Sequence, residues 1–384
     1  MTEATQDRIR DTGYKDHFQP EYPNVAELEE VTRKLRDMTG IATPEEILTT
    51  KQQYAGVATG ANGSWILVTG PCSEPISLQQ PETTFVERYT RLLQIGKASS
   101  PTSPPLHALR ACGQNAKPRS AECEMLPDGS IVPSYYGDLI NGIDPSDRTP
   151  DPTRMVAGAL QARDVNRALR DNGQQFVSTH EALLLPYEES FIVQGAQGRE
   201  FLTSCTVPWI GKRTNEPDGI HVDMLKDIEN PIGIKIGPGD KPEKIAELTQ
   251  KLNPSCEPGK LLYILRFGVG NLYQAPEILQ SIKDHSKGAL ILCDPMHGNT
   301  VKTLDGRKTR EVPRIIDEIK AISKMCQELG LRLHGLHLEA SGRDDRVECV
   351  DSVGQSPDHT AVVDPELNNN QLAGVLEETG ECFV

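Results

Sequence analysis

Residues 261–295 read LLYILRFGVGNLYQAPEILQSIKDHSKGALILCDP, and this stretch indicates how the chain folds. The apolar runs LLYILRFG (261–268) and ALILCDP (289–295) predict two buried strands. Between them, residues 274–285 carry apolar side chains at the spacing of a helix. A strand, a helix and a second strand in this order predict a parallel sheet of the α/β class.

The same unit recurs along the chain. Apolar or β-branched runs predict eight strands, at 64–70, 107–113, 176–181, 202–209, 232–237, 261–268, 289–295 and 331–339. Helical spacing predicts helices near 83–95, 155–171, 182–193, 220–228, 241–252, 274–285, 312–329 and 366–378. Because no GxGxxG motif follows the first strand, this alternation favours a (β/α)8 TIM barrel over an open doubly wound sheet. We predict a partly helical N-terminal extension at 1–60 and a catalytic barrel at 61–384.

Composition excludes several classes of protein. The 384 residues contain 40 Lys and Arg against 55 Asp and Glu, and the resulting net charge of −15 disfavours nucleic-acid binding. No stretch is long and apolar enough to cross a bilayer. The first residues, MTEATQDRIRDTG, lack the apolar core of a secretory signal, so a cytoplasmic location is expected. The nine cysteines include no CxxC pair and are interpreted as thiols.

Cations lie at or just beyond the ends of several predicted strands, where barrel enzymes assemble their sites. They are Arg110, Lys117, Arg119, Lys212, Arg213, Lys235 and Arg266. Arginine can hold a carboxylate or a phosphate with two parallel hydrogen bonds, and lysine adds a point charge. Each cation could instead pair with a neighbouring carboxylate or lie in a solvated loop. Their convergence from separate strands predicts an anionic small substrate.

Four further residues near strand ends are candidate metal ligands. Cys72 follows the first strand in GPCSE, His297 lies in CDPMHGNT, Glu339 ends the eighth strand, and Asp364 lies in VVDPELN. Sulfur, imidazole and carboxylate ligands suit Mn, Fe, Co or Zn better than Ca. Taken alone, a cysteine at such a place is more often a small buried apolar residue. The order of the four residues on successive strand ends is what favours a metal site.

These segments resemble one known family, the class II 3-deoxy-D-arabino-heptulosonate 7-phosphate (DAHP) synthases, in a short form. The resemblance runs from about Gly70 to Gln371, and its strings are RACGQNAKPRS, GDLINGI, STHEALLLPYE, WIGKRT, NPIGIKIGP, DPMHGNT, GRKTR, HLEASG and DPELNNNQ. It implies a metal-dependent (β/α)8 barrel that condenses phosphoenolpyruvate with erythrose 4-phosphate and water, and releases phosphate. This reaction opens the shikimate pathway or a branch of secondary metabolism.

By matching position, the resemblance implies a role for each candidate residue. The metal ligands would be Cys72, His297, Glu339 and Asp364, with Mn favoured and Co, Fe, Zn or Mg as alternatives. The phosphoenolpyruvate site would contain Arg110, Lys117, Arg213, Lys235 and Arg266, of which Lys117, Arg213 and Lys235 are the predicted catalytic residues. The aldose phosphate would meet Lys117, Pro118, Arg119 and Ser120, and Lys212 is included as a substrate-binding residue. A homodimer is expected.

Three segments depart from the family pattern. Pro71 and Ser73 replace Asp and Ala, although GPCS occurs in the other class of DAHP synthase. Lys212 replaces the usual glutamate before Arg213. The loop from Gly342 to Cys349 differs in length and charge. The last two differences leave open the same chemistry on another aldose phosphate, such as that of an amino-DAHP synthase, and a non-catalytic regulatory homologue is a further alternative.

The segment after KPRS bears on regulation. Family members that bind aromatic amino acids as inhibitors carry a longer N-terminal part and extra helices there. Here the path from Ser120 to Met155 is rich in Pro, Gly and Asp and has no apolar run long enough for a helical pair. We therefore predict that aromatic amino acids do not strongly inhibit this protein.

Overall fold

The barrel is closed by eight parallel strands. The computed structural model describes residues 18–61, 63–76, 82–100, 103–111, 113–119, 121–126, 128–352, 354–359, 361 and 363–383. Each strand pairs with the next along the chain, and the eighth pairs with the first. The strands are β1 (Ile66–Gly70), β2 (Leu106–Leu109), β3 (Val177–Glu181), β4 (Val207–Ile210), β5 (Ile232–Ile236), β6 (Leu261–Leu265), β7 (Leu290–Cys293) and β8 (Gly335–Glu339). The (β/α)8 barrel predicted from the sequence is confirmed.

Ten α-helices are present in the described residues, and eight of them each follow one strand of the barrel. They are α1 (Val25–Arg36), α2 (Pro44–Ala58), α3 (Glu82–Ser99), α4 (Arg154–Asp171), α5 (Leu185–Ser190), α6 (Ile220–Leu225), α7 (Pro242–Leu252), α8 (Ala275–His285), α9 (Val312–Glu328) and α10 (Asn369–Thr379). Capping boxes fix the starts of α2 and α10, where Thr43 pairs with Glu46 and Asn368 with Gln371. Part of the DPELNNNQ string is therefore a helix cap.

Alternation along the strands separates the barrel interior from the helical layer. In β5, Ile232, Ile234 and Ile236 join the apolar layer beneath the helices. Gly233 and Lys235 therefore face the interior. In the lower interior, strand side chains such as Val68 and Ile264 pack with Tyr54 of α2. Helix α2 therefore covers the N-terminal end of the barrel, and the opposite end is left for the site.

The predicted helix at 182–193 is wrong in extent. Helix α5 covers only Leu185–Ser190, because Pro186 lies in its first turn and the chain turns into the strand Ile192–Gln194 soon after it ends. The β-branched pair Ile192 and Val193 favours that extended conformation. The strand pairs in an antiparallel hairpin with Glu200–Leu202. Strand β4 consequently begins at Val207, later than the predicted 202.

The other boundary corrections are smaller. Strand β8 begins at Gly335 rather than at 331, β2 ends at Leu109 rather than at 113, and α6 ends at Leu225 rather than at 228. Each predicted element nevertheless exists and has the predicted type. No helix in the described part of the chain is long and apolar enough to cross a membrane.

Residues between Ser120 and α4 form no helical pair in the part that the structure describes. Strands Cys123–Met125 and Ile131–Pro133 form a hairpin, and Pro145–Asp147 forms one 3₁₀ turn. The predicted lack of inhibition by aromatic amino acids stays a prediction. A further hairpin, Thr300–Lys302 with Lys308–Arg310, follows β7 and brings its second strand back toward the end of β8.

Candidate active site

A cleft of about 370 Å³ opens among the loops that follow the C-terminal ends of the strands. Its lining includes nine of the predicted site residues: Lys117, Pro118, Arg119, Lys212, Arg213, Lys235, Arg266, His297 and Asp364. Three more, Cys72, Arg110 and Glu339, are buried against it. Ser120 lies outside the described residues. The barrel thus brings together residues that are up to 292 positions apart.

Arg110 reaches the floor of the cleft through a close approach of β1 and β2. Gly70 has a φ of 146°, and a Cβ there would lie 2.7 Å from the Cβ of Arg110. The guanidinium donates from Nη1 to Oε1 of Glu339 at 3.0 Å and from Nη2 to the carbonyl of Cys72 at 3.2 Å. It also lies over the ring of Trp209, with 5.3 Å from Cζ to the ring centroid. Arg110 is therefore held rigidly.

Lys235 also lies over the ring of Trp209. Its Nζ is 5.7 Å from the ring centroid and forms an ion pair with Asp294. Burial, with the charges of Arg110 and Arg266, lowers the pKa of Lys235 to about 8, although Asp294 opposes the shift. The charge of this lysine therefore depends on pH near neutrality.

His297 is fixed by the turn that follows β7. Asp294 accepts hydrogen bonds from the backbone N–H groups of Met296 and His297, at 3.1 and 3.2 Å, and lies 2.7 Å from Nδ1 of His297. Burial alone would raise the pKa of Asp294, but His297 and Lys235 hold that pKa well below its usual range. Nε2 of His297 is thereby directed at Glu339, 3.2 Å away. A carboxylate behind an imidazole is a common support for a metal-binding histidine.

The four predicted metal ligands approach one another in two pairs. Sγ of Cys72 lies 3.9 Å from Oδ2 of Asp364, and Nε2 of His297 lies 3.2 Å from Oε1 of Glu339. No group of three such side chains has the geometry of a metal site within the described ranges. Two ligands of one ion, each about 2.0–2.3 Å from it, are separated by about 3–4 Å. Each pair taken alone therefore has the spacing of two ligands of one divalent ion, but the described side chains do not form a complete metal site.

Protonation of Cys72 follows from its surroundings. Burial raises the pKa of the thiol far above its usual value, and the negative charges of Glu339 and Asp364 add to this effect. Nζ of Lys117, 3.2 Å from Sγ, opposes it. Because a metal ion binds the thiolate, binding at this position would release the proton.

The remaining cations differ in exposure and in pairing. Arg213 is exposed and donates to the carbonyl of Pro118 at 2.7 Å. Lys212 pairs with Asp240 at 3.2 Å, and Arg119 pairs with Glu124 at 3.4 Å. Part of the positive charge is thus balanced by carboxylates of the protein, which is the alternative that the sequence left open for each cation.

Comparison with known families decides which one the chain represents. A family model described as the Class-II DAHP synthetase family matches residues 5–174 and 160–376. The chain belongs to this family. Several of the strings that carry the resemblance, such as RACGQNAKPRS and WIGKRT, contribute residues to the cleft.

Relatives in this family cover nearly the whole chain. The chain is 34% identical over 369 residues to the probable phospho-2-dehydro-3-deoxyheptonate aldolase of Pseudomonas fluorescens, covering 91% of each protein. It is 30% identical over 432 residues to the phospho-2-dehydro-3-deoxyheptonate aldolase of Streptomyces coelicolor, covering 95% of this chain and 94% of the relative. The second alignment is longer than the 384 residues here. The Streptomyces relative therefore contains segments that this chain lacks.

A solved structure shares the fold. The phospho-2-dehydro-3-deoxyheptonate aldolase of Francisella tularensis superposes with a TM-score of 0.58, at 16% identity, over 92% of this chain and 95% of that chain. At this identity the likeness concerns the barrel architecture alone.

Sequence reasoning missed several residues of this class II site. Arg310 is fully buried and donates to Oε2 of Glu339 at 2.7 Å, so that Glu339 contacts two arginines and His297. Burial opposes ionisation of Glu339, yet His297 and Arg310 hold its pKa well below the usual range. Lys308 and Glu181 also line the cleft. Lys308 and Arg310 lie in the GRKTR string, which was the one sequence feature that pointed to them. They were missed because they follow a hairpin turn, whereas the other candidates were chosen at the ends of barrel strands.

Proposed function

We propose that this chain is a DAHP synthase, which condenses phosphoenolpyruvate with erythrose 4-phosphate and water to give DAHP and phosphate. The observation that carries the proposal is the cleft itself, in which seven cations surround His297 and Asp364: Lys117, Arg119, Lys212, Arg213, Lys235, Arg266 and Lys308. Two substrates with two phosphates and one carboxylate between them match this concentration of positive charge. Family membership supports the same reaction.

Phosphoenolpyruvate would bind against the inner cations. Among the described residues, Nε of Arg110 and Nε of Arg266 are buried without a hydrogen-bond partner. Buried N–H groups of this kind require an acceptor. Arg266 is further fixed by donating from Nη2 to the carbonyl of His297 at 2.9 Å. We assign Arg110, Lys235 and Arg266, with Lys117 and Arg213, to the phosphate and carboxylate of this substrate.

The aldose phosphate would bind against the outer cations. Lys117, Pro118, Arg119 and Ser120 form the predicted segment, and Lys308 lines the same cleft. Arg213 donates to the carbonyl of Pro118 and so ties this segment to the end of β4. That contact would keep the two substrates in a fixed relative position, which is a large part of catalysis of a bimolecular reaction.

A divalent metal belongs to the proposal, with Mn favoured and Cys72, His297, Glu339 and Asp364 as its ligands. When bound, such an ion acts as a Lewis acid toward the aldehyde oxygen. The chain's own residues prepare this position: Arg110 and Arg310 hold Glu339, and Asp294 holds His297. The thiol of Cys72 is neutral, and Lys117 lies beside it, so both limit the negative charge among the proposed ligands.

The bond changes place demands on the cations. C3 of phosphoenolpyruvate forms a bond to the aldehyde carbon, whose oxygen takes up a proton and becomes a hydroxyl group. Water adds at C2 and gives up its two protons, one to that hydroxyl oxygen and one to the leaving phosphate. The bond between C2 and the bridging oxygen breaks, so that phosphate leaves with this oxygen and the oxygen from water becomes the ketone. Negative charge is retained on the phosphate throughout, and positive charge develops at C2. Lys117 and Lys235, which are buried, would stabilise the phosphate by fixed position, because their orientation is set before substrate binds. The exposed Arg213 would mainly add to the binding of that phosphate.

A different aldose phosphate is the second candidate substrate, because Lys212 lines the cleft and pairs with Asp240 there. Lys212→Glu distinguishes the two. If Lys212 contributes mainly its backbone, the catalytic constant for erythrose 4-phosphate changes little, and if Lys212 selects another aldehyde, the variant gains erythrose 4-phosphate activity by orders of magnitude. A regulatory homologue without activity is disfavoured, because a protein that only binds a partner would not need the candidate metal ligands and the cations of the cleft at their matching positions.

Phosphate release tests the proposal. The protein is supplied with phosphoenolpyruvate and Mn²⁺, and each aldose phosphate of a panel is added in turn. We expect release only when both substrates are present, fastest with erythrose 4-phosphate. No release with any aldose phosphate would overturn the proposal, as would equal release without one. We also propose a homodimer in the cytoplasm, which sedimentation and fractionation would check.

A further inference from the structure

A buried carboxylate on α9 joins two loops of the cleft. Glu318 is completely buried. Its Oε1 accepts hydrogen bonds from the backbone N–H groups of Phe267 and Gly268, at 3.0 and 2.9 Å. Its Oε2 accepts from Nδ2 of Asn299 at 2.6 Å. The first two donors follow Arg266 after β6, and Asn299 follows His297 after β7.

Asn299 completes the connection. Its Nδ2 also donates to the carbonyl of Pro295 at 2.8 Å, and its Oδ1 accepts from the backbone N–H of Val269 at 3.1 Å. The amide side chain of Asn299 therefore bonds to both loops and to Glu318. Its Oδ1 joins the loop after β7 to the loop after β6, and its Nδ2 joins the loop after β7 to Glu318.

The two loops also touch directly. Gly268 has a φ of 72°, and a Cβ there would lie 2.2 Å from the carbonyl oxygen of Gly298. A Cβ at Gly298 would lie 2.3 Å from the nitrogen of Gly268. Above this contact, Arg266 donates to the carbonyl of His297 at 2.9 Å. The loops therefore behave as one unit, whose internal spacing depends on the hydrogen bonds below it.

No cation lies within ion-pair distance of Glu318 among the residues that the structure describes, so three N–H groups alone compensate its burial. Removing a carboxylate from water in this way is costly. The carboxylate fixes the geometry of the cleft, because its two oxygens bond to the loop after β6 and to the loop after β7.

We propose that Glu318 is a positioning residue that sets the distance between Arg266 and His297. This inference rests on the proposed function, in which Arg266 binds phosphoenolpyruvate and His297 binds the metal. Glu318 touches neither ligand and acts through Phe267, Gly268 and Asn299. It thereby couples the substrate phosphate to the metal position.

Glu318→Gln is the direct test. In either orientation of the new amide, its NH₂ group faces a donor, because one side meets Asn299 Nδ2 and the other meets the N–H groups of Phe267 and Gly268. We expect the dissociation constant of phosphoenolpyruvate, measured by calorimetry, to rise by about ten-fold. We expect that of Mn²⁺, measured by electron paramagnetic resonance without substrate, to rise by about 10–100-fold.

Two further variants separate positioning from stability. Glu188→Gln is the matched control, because Glu188 is also buried but bonds to His180 and Ser204. It should lower the melting temperature and leave both dissociation constants within about two-fold of wild type. In Glu318→Gln with Asn299→Asp, the new carboxylate accepts from the new amide but also faces the carbonyl oxygen of Pro295, so we expect part of the lost affinity to return.

The outcomes are distinct. Weakened binding in Glu318→Gln, recovery in the double variant and normal binding in Glu188→Gln support the inference. Normal phosphoenolpyruvate and Mn²⁺ affinity in a folded Glu318→Gln would overturn it while leaving the proposed function intact, and so would equal weakening in Glu188→Gln. A wild-type protein that binds neither ligand would overturn both.

Discussion

The floor of the cleft and its rim hold the same kinds of charge in different ways. On the floor, Arg110 and Lys235 are buried and face Glu339 and Asp294. On the rim, Arg213 is exposed and bonds to a backbone carbonyl, and Arg119 is partly exposed beside Glu124. Buried pairs interact strongly and cannot reorient, whereas exposed cations are screened by water and salt. The comparison teaches that the floor is built for chemistry and the rim for capture.

The largest effect should come from the proposed metal ligands at the floor. Cys72→Ala removes the one sulfur of the set, and we expect DAHP formation to fall by at least about a thousand-fold. Chelation should have the same effect in the wild-type protein, with recovery on addition of Mn²⁺ or Co²⁺. Cys349→Ala is the matched control, because that cysteine is also buried. Full activity of Cys72→Ala in metal-free buffer would contradict the proposal that a metal bound by Cys72 is needed for activity.

The pH dependence tests whether the floor is as desolvated as the structure indicates. Lysine is charged below its pKa, and burial lowers the pKa of Lys235 to about 8. We therefore expect kcat/KM for phosphoenolpyruvate to fall as the pH rises through about 8, since the free enzyme then loses this charge.

Lys235→Arg provides the control for that profile, because arginine keeps its charge throughout this range. The variant should be less active but should lose the decline near pH 8. A decline that persists in Lys235→Arg would assign the titration to another group, and a flat wild-type profile would contradict the desolvated floor.

Sequence patterns predicted the frame of the molecule well for a physical reason. Each barrel strand is buried on both faces, so runs such as LLYIL at 261–265 stand out from polar surroundings. Parallel strands in a closed barrel place their C-terminal ends together, so residues at those ends could be grouped without knowing any contact. This is why Cys72, Lys235 and His297 could be assigned to one region.

Pairing within the site could not be predicted in the same way. Glu339 meets Arg310 only because the hairpin after β7 folds back over the barrel, and hairpin geometry leaves little trace in composition. The end of α5 was missed because the preference of the β-branched residues after Phe191 for a strand outweighs helical spacing. Tertiary contacts, rather than local preference, decide such details.

The rim should show smaller effects. Arg119→Met removes one cation of the segment that we assign to the aldose phosphate, and we expect KM for that substrate to rise by about five-fold with kcat nearly unchanged. The difference should shrink as salt is added. Glu124→Gln leaves the charge of Arg119 in place and should not raise this KM. A loss confined to kcat would show that the rim takes part in the chemistry.

The smallest effect is expected from aromatic amino acids. The segment between Ser120 and α4 forms a hairpin and a 3₁₀ turn in its described part, and no helical pair is present there to build an effector pocket. An effector without differential affinity for two conformations cannot shift them. Millimolar Phe, Tyr and Trp, alone and in pairs, should change the rate by less than about two-fold. Stronger inhibition would reveal a third region that controls the cleft.

One pair of variants tests the division between floor and rim most directly. Lys235→Met and Arg213→Met remove one cation each, and both are assayed for DAHP formation in low salt and in near-physiological salt. We predict that Lys235→Met loses about a thousand-fold, mainly in kcat and at both salt concentrations, while Arg213→Met loses about ten-fold, mainly in KM and less at higher salt. Equal losses of activity with equal salt dependence in the two variants would contradict the division between floor and rim, and so would a larger loss in Arg213→Met than in Lys235→Met.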